Sequence, residues 1–166
     1  MRPRHFFTFA GKVTAAHIIT YFIAGAIAYP LLTQGFYVGP NPIFRVFMRT
    51  EAEPELWRHA VTWFLPAQFL RGILIAAALY PFFDTLLRWP FSKRFLSISA
   101  LYVVLGFWAA TVAAPGTIEG MVYLRPFFTP LVHLKVQPEI VGQGLALGAM
   151  VALWMGPPPA ERRLHS

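Results

Sequence analysis

Four long apolar stretches constrain this chain more than any other feature of its sequence. They predict helices over approximately residues 13–32, 54–87, 95–114 and 138–155. A helix needs about 20 predominantly apolar residues to cross a bilayer. Within lipid, only a helix or a closed barrel satisfies its own backbone hydrogen bonds. The sequence therefore predicts an all-α membrane protein, built as a four-helix transmembrane bundle.

The composition favours the same fold class. Charged residues make up 13% of the chain and hydrophobic residues 57%, whereas an average soluble domain has roughly 25% charged residues. A soluble core of this size would leave much of that apolar surface in water. With 166 residues, the chain is expected to form one integral membrane domain, residues 1–166, without a separate soluble module.

Proline and glycine mark the expected helix ends. Pro54 lies between Glu53 and Glu55, a pattern typical of a helix start, because proline suits the first turn and acids suit the positive helix end. Pro30 marks the end of the first apolar stretch, and Pro115 and Gly116 end the third. The first apolar stretch follows a basic N-terminus and resembles a signal peptide, but we expect it to be retained as a helix.

Basic residues indicate the orientation. Eight lie at the N-terminus, in the second connection and at the C-terminus, against five in or beside the first and third connections. Lysine and arginine near the membrane prefer the cytoplasmic side. The sequence therefore predicts an N-in/C-in topology, with both termini cytoplasmic and two long outward-facing connections. A bacterial inner membrane is the expected location, and the net charge of +7 is attributed to anionic lipid rather than nucleic acid.

Both outward-facing connections are expected to carry short interfacial elements. Asn41 and Pro42 precede a short apolar stretch at residues 43–48 that is typical of a surface-lying helix. The third connection, residues 116–137, is unusually apolar, and Pro126 and Pro130 argue against a continuous helix through it. It either packs back on the bundle or serves as a docking surface. Together with the small-residue faces of the first and fourth helices, it is a candidate contact for a homo-oligomer or a membrane partner subunit.

Arg71 is the most informative residue for function. In a helix that enters the membrane near Ala60, it lies roughly 16 Å along the axis at 1.5 Å per residue, close to the bilayer midplane. A charge there costs about 2.5 kcal/mol or more and usually faces the bundle interior. Polar residues at the same depth or toward the outer side are Gln68, Glu119, Glu139 and Gln143. We expect Arg71 to pair with one or both glutamates, as a structural ion pair or as part of a ligand site.

Three histidines are secondary candidates. His17 is placed within one or two turns of the cytoplasmic end of the first helix, where hydrogen-bonded packing is its expected role. His59 and His133 are expected near the outer face, where a metal site with glutamate ligands is conceivable but lacks typical ligand spacing. No metal site and no cofactor are predicted. The chain has no cysteine, which excludes disulfides and thiolate metal sites.

Three functions remain open. The first is binding or permeation through an outward-facing polar site around Arg71, which would take a small or anionic ligand. The second is a non-catalytic accessory subunit of a larger membrane complex. The third is a membrane-embedded enzyme acting on a lipid or quinone, with Glu119 or Glu139 as acid or base. No catalytic motif appears in the sequence, so the sequence favours a protein that is not an enzyme.

Overall fold

A computed structural model describes residues 3–158, which form helices and connecting segments without any strand. The side chains of residues 3 and 4 are not described, and the basic residues Arg2, Arg162 and Arg163 of the orientation prediction lie outside the described residues. Four long helices and one short helix build the fold. They are α1 (Pro3–Ala28, π-helical Tyr29–Thr33, Gln34–Tyr37), α2 (Pro54–Leu79, 3-10 Tyr80–Phe82, Phe83–Arg88), α3 (Phe91–Ala100, π-helical Leu101–Trp108), α4 (Ile118–Tyr123) and α5 (Pro130–Trp154).

Three of the long helices are long and apolar enough to cross a membrane. The spans are His5–Tyr37, Pro54–Arg88 and Pro130–Trp154. The all-helical fold class and the membrane character are therefore supported, while a fourth crossing by α3 and the orientation of the termini remain predictions. The predicted short helix after Pro42 is present as a 3-10 helix, Ile43–Val46, whose Phe44 is buried.

Two prolines lie inside helices, although the sequence suggested that they mark helix boundaries. Pro30 was expected to terminate the first helix, but it is accommodated within the π-helical turn Tyr29–Thr33, and α1 continues to Tyr37. Proline lacks an N–H and clashes with the preceding turn, and a widened π-type turn absorbs that mismatch. Pro138 was expected to start the fourth helix, yet α5 begins at Pro130 and contains Pro138.

The third apolar stretch is shorter as a helix than expected. It ends at Trp108 rather than Ala114, and residues 109–117 form bends and turns. Gly116 adopts φ +93° there, a conformation that side-chain-bearing residues avoid. The Thr117 hydroxyl then accepts a hydrogen bond from the Gly120 backbone N–H and caps α4. The connection therefore partly packs back on the bundle, with Phe128 buried in a small core.

Small residues lie where the helices pack closely against each other. Gly72 of α2 faces Thr14 of α1, where an added Cβ would lie 2.7 Å from the Thr14 backbone. On α5, Gly148 packs against the Phe95 region of α3, and Gly144 packs against Val103. Along each pair, residue numbers rise on one helix as they fall on the other, so packed neighbours are antiparallel. The predicted small-residue face of the fourth helix is thus a helix contact, except that Gly142 has open space beside it.

Basic side chains cap the C-terminal end of α5. The Arg94 guanidinium is 1% exposed and donates to the carbonyls of Ala152 at 3.2 Å and Gly156 at 2.7 Å. Lys12 donates to the Trp154 carbonyl at 2.9 Å. The last carbonyls of a helix lack partners within the helix and carry partial negative charge. Two of the basic residues used to predict orientation therefore also join α1 and α3 to α5.

Candidate functional site

A buried histidine joins three helices. His17 is fully buried near the middle of α1, and its Nε2 lies 3.0 Å from Gln68 Oε1 on α2. Its Nδ1 lies 3.5 Å from Gln143 Nε2 on α5. The pattern suits a neutral imidazole that donates from Nε2 to the Gln68 oxygen and accepts from the Gln143 amide.

His17 lies deeper than the sequence suggested. The expected position near the cytoplasmic end assumed that the first helix starts at residue 13, whereas α1 starts at Pro3. The hydrogen-bonding role expected for His17 agrees with its position, and its partners are two residues predicted for the Arg71 site. Gln68 and Gln143 are therefore linked to each other, but the residue that links them is His17 rather than Arg71.

Arg71 does not form the expected ion pair. Among residues 3–158, the ion pairs within 4 Å join Arg45 to Glu53 and Arg58 to Glu55. The Arg71 guanidinium instead lies 5.7 Å from the centroid of the Tyr102 ring on α3, a distance at which a cation is attracted to a ring face. The reason is the helix arrangement: His17 of α1 lies between the polar residues of α2 and those of α5.

Arg71 borders an apolar groove between α2 and α3. The groove has a volume of about 330 Å³, and Arg71 and Tyr102 contribute the polar groups of its wall. The Arg71 side chain is exposed at this groove rather than enclosed by the bundle. The other lining residues are Ile75, Ala78, Leu79, Phe82, Ile98, Leu101, Leu105, Gly106 and Leu147.

Glu139 lies where α5 packs against α1. It is half-buried on α5, and a Cβ at Gly25 of α1 would lie 3.8 Å from its Oε1. The charges of Glu139 and Arg71 both act electrostatically on Tyr21 and Tyr102. The two charged groups therefore share tyrosine neighbours without touching each other.

Tyr21 and Tyr102 are neighbours of His17 that were not among the predicted site residues. Their rings lie 6.2 Å and 6.3 Å from the His17 ring. The spacing of Tyr21 four residues after His17 places the two on one helix face and was the available signal. No sequence signal places Tyr102 there, because it comes from a different helix.

The remaining candidates lie apart from this cluster. Glu119 is half-buried in the first turn of α4. His133 is buried, and its Nδ1 accepts a hydrogen bond of 2.9 Å from the Gly116 backbone N–H. His59 is exposed beside Trp63. Across the described part of the chain, no three histidine or acidic side chains are grouped as metal ligands.

Comparison with known proteins adds no relative. No family model matches the chain, and no match was found among curated proteins or solved structures.

Proposed function

We propose that this membrane protein binds an amphipathic anion within the bilayer, with the acidic head at Arg71 and the apolar chain in the groove between α2 and α3. The observation that carries the proposal is the position of Arg71. It lies within a candidate membrane span, has no acidic side chain within 4 Å among the described residues, and borders an apolar groove.

Electrostatics favours an anionic ligand. A guanidinium within a span costs about 2.5 kcal/mol or more, and the face of the Tyr102 ring offsets only part of that cost. A carboxylate or phosphate monoester can accept two parallel hydrogen bonds from arginine. An anionic head group at Arg71 would therefore supply the counter-charge that Glu119 and Glu139 do not provide.

The shape of the groove favours a single linear chain. Its α2 wall extends from Arg71 to Phe82, roughly 16 Å at 1.5 Å per residue. Isoleucine, leucine and phenylalanine side chains line this length, so an alkyl or isoprenoid chain would gain apolar contact along it. A long-chain fatty acid and a long-chain alkyl phosphate share this chemistry.

Neutralising Arg71 should remove this binding. We expect Arg71→Gln to weaken labelling of the purified protein by a diazirine-bearing fatty acid about 10-fold or more, because a hydrogen bond to a charged group is worth about 1.5–3 kcal/mol. Arg71→Lys should retain part of the affinity, since it keeps the charge but loses the two-pronged geometry.

Arg58→Gln is the matched control. Arg58 lies on the same helix and has an exposed ion pair with Glu55 at 2.6 Å, so fatty-acid labelling should be unchanged. A diazirine alkyl phosphate would show whether the head group is a carboxylate or a phosphate. Wild-type labelling in Arg71→Gln would contradict the proposal.

The accessory-subunit function is supported by a different observation. On α4, Ile118, Met121, Val122 and Tyr123 are each about 60–70% exposed. An exposed apolar patch on a connection is typical of a docking surface. This function would use residues of α4, which do not line the Arg71 groove.

Site-specific photocrosslinking in native membranes tests this second function. A benzoylphenylalanine at position 122 should give one discrete protein adduct. The same group at Leu74, which is 59% exposed within the α2 span, should give none. Exclusive labelling of lipid at position 122 would contradict a partner subunit.

A further inference from the structure

A large cavity opens between α1 and α2, and it shares no lining residue with the Arg71 groove. Its volume is about 640 Å³, within the roughly 300–1,000 Å³ typical of small-molecule sites. α1, α2 and the segment before α2 supply most of the wall, and α5 supplies Glu139. The cavity is therefore large enough for a ligand with several apolar groups.

A carboxylate without a charged partner lines this cavity. Glu139 makes no ion pair within 4 Å and no side-chain hydrogen bond to any residue between 3 and 158. It lies within the α5 span, where an ionised acid is costly unless a positive group accompanies it. A cationic ligand would supply that positive group.

Aromatic rings form much of the remaining wall. Tyr21, Tyr29 and Tyr37 come from α1, and Trp57 and Phe64 come from α2. The faces of such rings attract cations, and the attraction strengthens where water is excluded. Rings around a carboxylate are a combination that recognises ammonium-type groups bearing apolar substituents.

Arg49 places a positive charge in the same cavity wall as Glu139. It belongs to the segment between the 3-10 helix Ile43–Val46 and α2, and its side chain is exposed. A charge in contact with solvent is screened over about 8–10 Å at physiological salt. Glu139, which lies within a span and is half-buried, is screened less. The deeper part of the cavity therefore favours a positive ligand.

We infer that this cavity binds a lipophilic organic cation, with the Glu139 carboxylate as its counter-charge and the aromatic rings of α1 and α2 around its apolar groups. The inference is independent of the anion site at Arg71. It concerns a different cavity and a ligand of opposite charge.

Tetraphenylphosphonium and tetraphenylborate test the inference, because they have nearly the same size and opposite charges. Equilibrium binding to the detergent-purified Arg71→Gln chain, which lacks the proposed anion site, should show a preference for the phosphonium of about 10-fold or more. Arg71 is exposed at its groove, so this variant should fold as the wild type does. Equal affinity for both ions in Arg71→Gln would overturn the inference.

Substitutions then show which residues recognise the phosphonium. Glu139→Gln should lower phosphonium affinity about 10-fold and abolish the charge preference. Trp57→Leu should lower it several-fold while the preference remains. Glu119→Gln is the matched carboxylate control, since Glu119 does not line the cavity, and should bind as wild type. Unchanged phosphonium binding in Glu139→Gln would overturn the assignment of Glu139.

Arg71→Gln separates the two sites. We expect it to leave phosphonium binding unchanged while it removes fatty-acid labelling. If Arg71→Gln removed phosphonium binding, the cation site would not be independent and the inference would be overturned. If it spared both ligands, only the proposed anion site would be contradicted.

Discussion

Gly148→Val should separate α5 from α3 and destabilise the protein more than any surface substitution. A Cβ at Gly148 would meet Ser99 Oγ and lie 2.9 Å from the Phe95 carbonyl oxygen, so backbone must move. Overpacking costs roughly 1–3 kcal/mol, and we expect the upper end because the obstacle is backbone. Equilibrium unfolding in mixed micelles, followed by circular dichroism, measures the loss.

Gly142→Val is the matched control on the same helix. A Cβ at Gly142 meets nothing within 4 Å, so we expect a change of less than about 0.5 kcal/mol, as for an ordinary surface substitution. Equal destabilisation by the two variants would mean that glycine in α5 serves helix flexibility rather than close packing. The proposed contact between α3 and α5 would then be wrong.

Arg94→Met should free the C-terminal end of α5. It removes the donors to the carbonyls of Ala152 and Gly156, each worth about 1.5–3 kcal/mol as a bond to a charged group. Relief of the cost of burying the guanidinium offsets part of this loss. We therefore expect a net destabilisation of about 2 kcal/mol and faster hydrogen exchange at residues 152–156.

Lys93→Met is the neighbouring control. The Lys93 ammonium is exposed and lies 4.4 Å from the centre of the Trp89 ring, so its loss should change stability by less than about 1 kcal/mol. Slow exchange at residues 152–156 in Arg94→Met would contradict the capping role. Lys12, which bonds the Trp154 carbonyl, would then be the residue that fixes this end.

Both contacts matter for the sites as well as for stability. α5 carries Gln143 and Glu139, and its packing against α1 and α3 places them beside His17 and the large cavity. The proposed cation site should therefore be sensitive to Gly148→Val. The Arg71 groove also contacts α5 at Leu147, so its geometry should change too.

Local signals predicted much of the fold correctly. The start at Pro54, the short helix after Pro42 and the breaks around Pro126 and Pro130 follow from the missing N–H of proline and from its fixed φ. Pro30 and Pro138 were misread by the same rule. A proline inside a helix is tolerated where neighbouring turns adjust, and the sequence does not say where they do.

Some of the candidate site residues lie together, but their pairings differ from the predicted ones. Gln68 and Gln143 both contact His17, and the charge of Arg71 acts on His17, but the Arg71 side chain is exposed at its groove. The predicted ion pair of Arg71 with a glutamate is wrong. Electrostatic preference alone suggested it, whereas in the structure Tyr21 of α1 and Tyr102 of α3 are each influenced by both charges.

The sequence by itself determined the all-helical membrane character and the residues whose polarity is costly in lipid, because hydropathy and backbone satisfaction act along one segment at a time. Only the tertiary structure decided that His17 joins Gln68 to Gln143, and that Arg71 and Glu139 border separate cavities. Those outcomes depend on how each helix is rotated about its axis and which helix it packs against. Small residues such as Gly72, Gly144 and Gly148 set that arrangement through close contact with other helices.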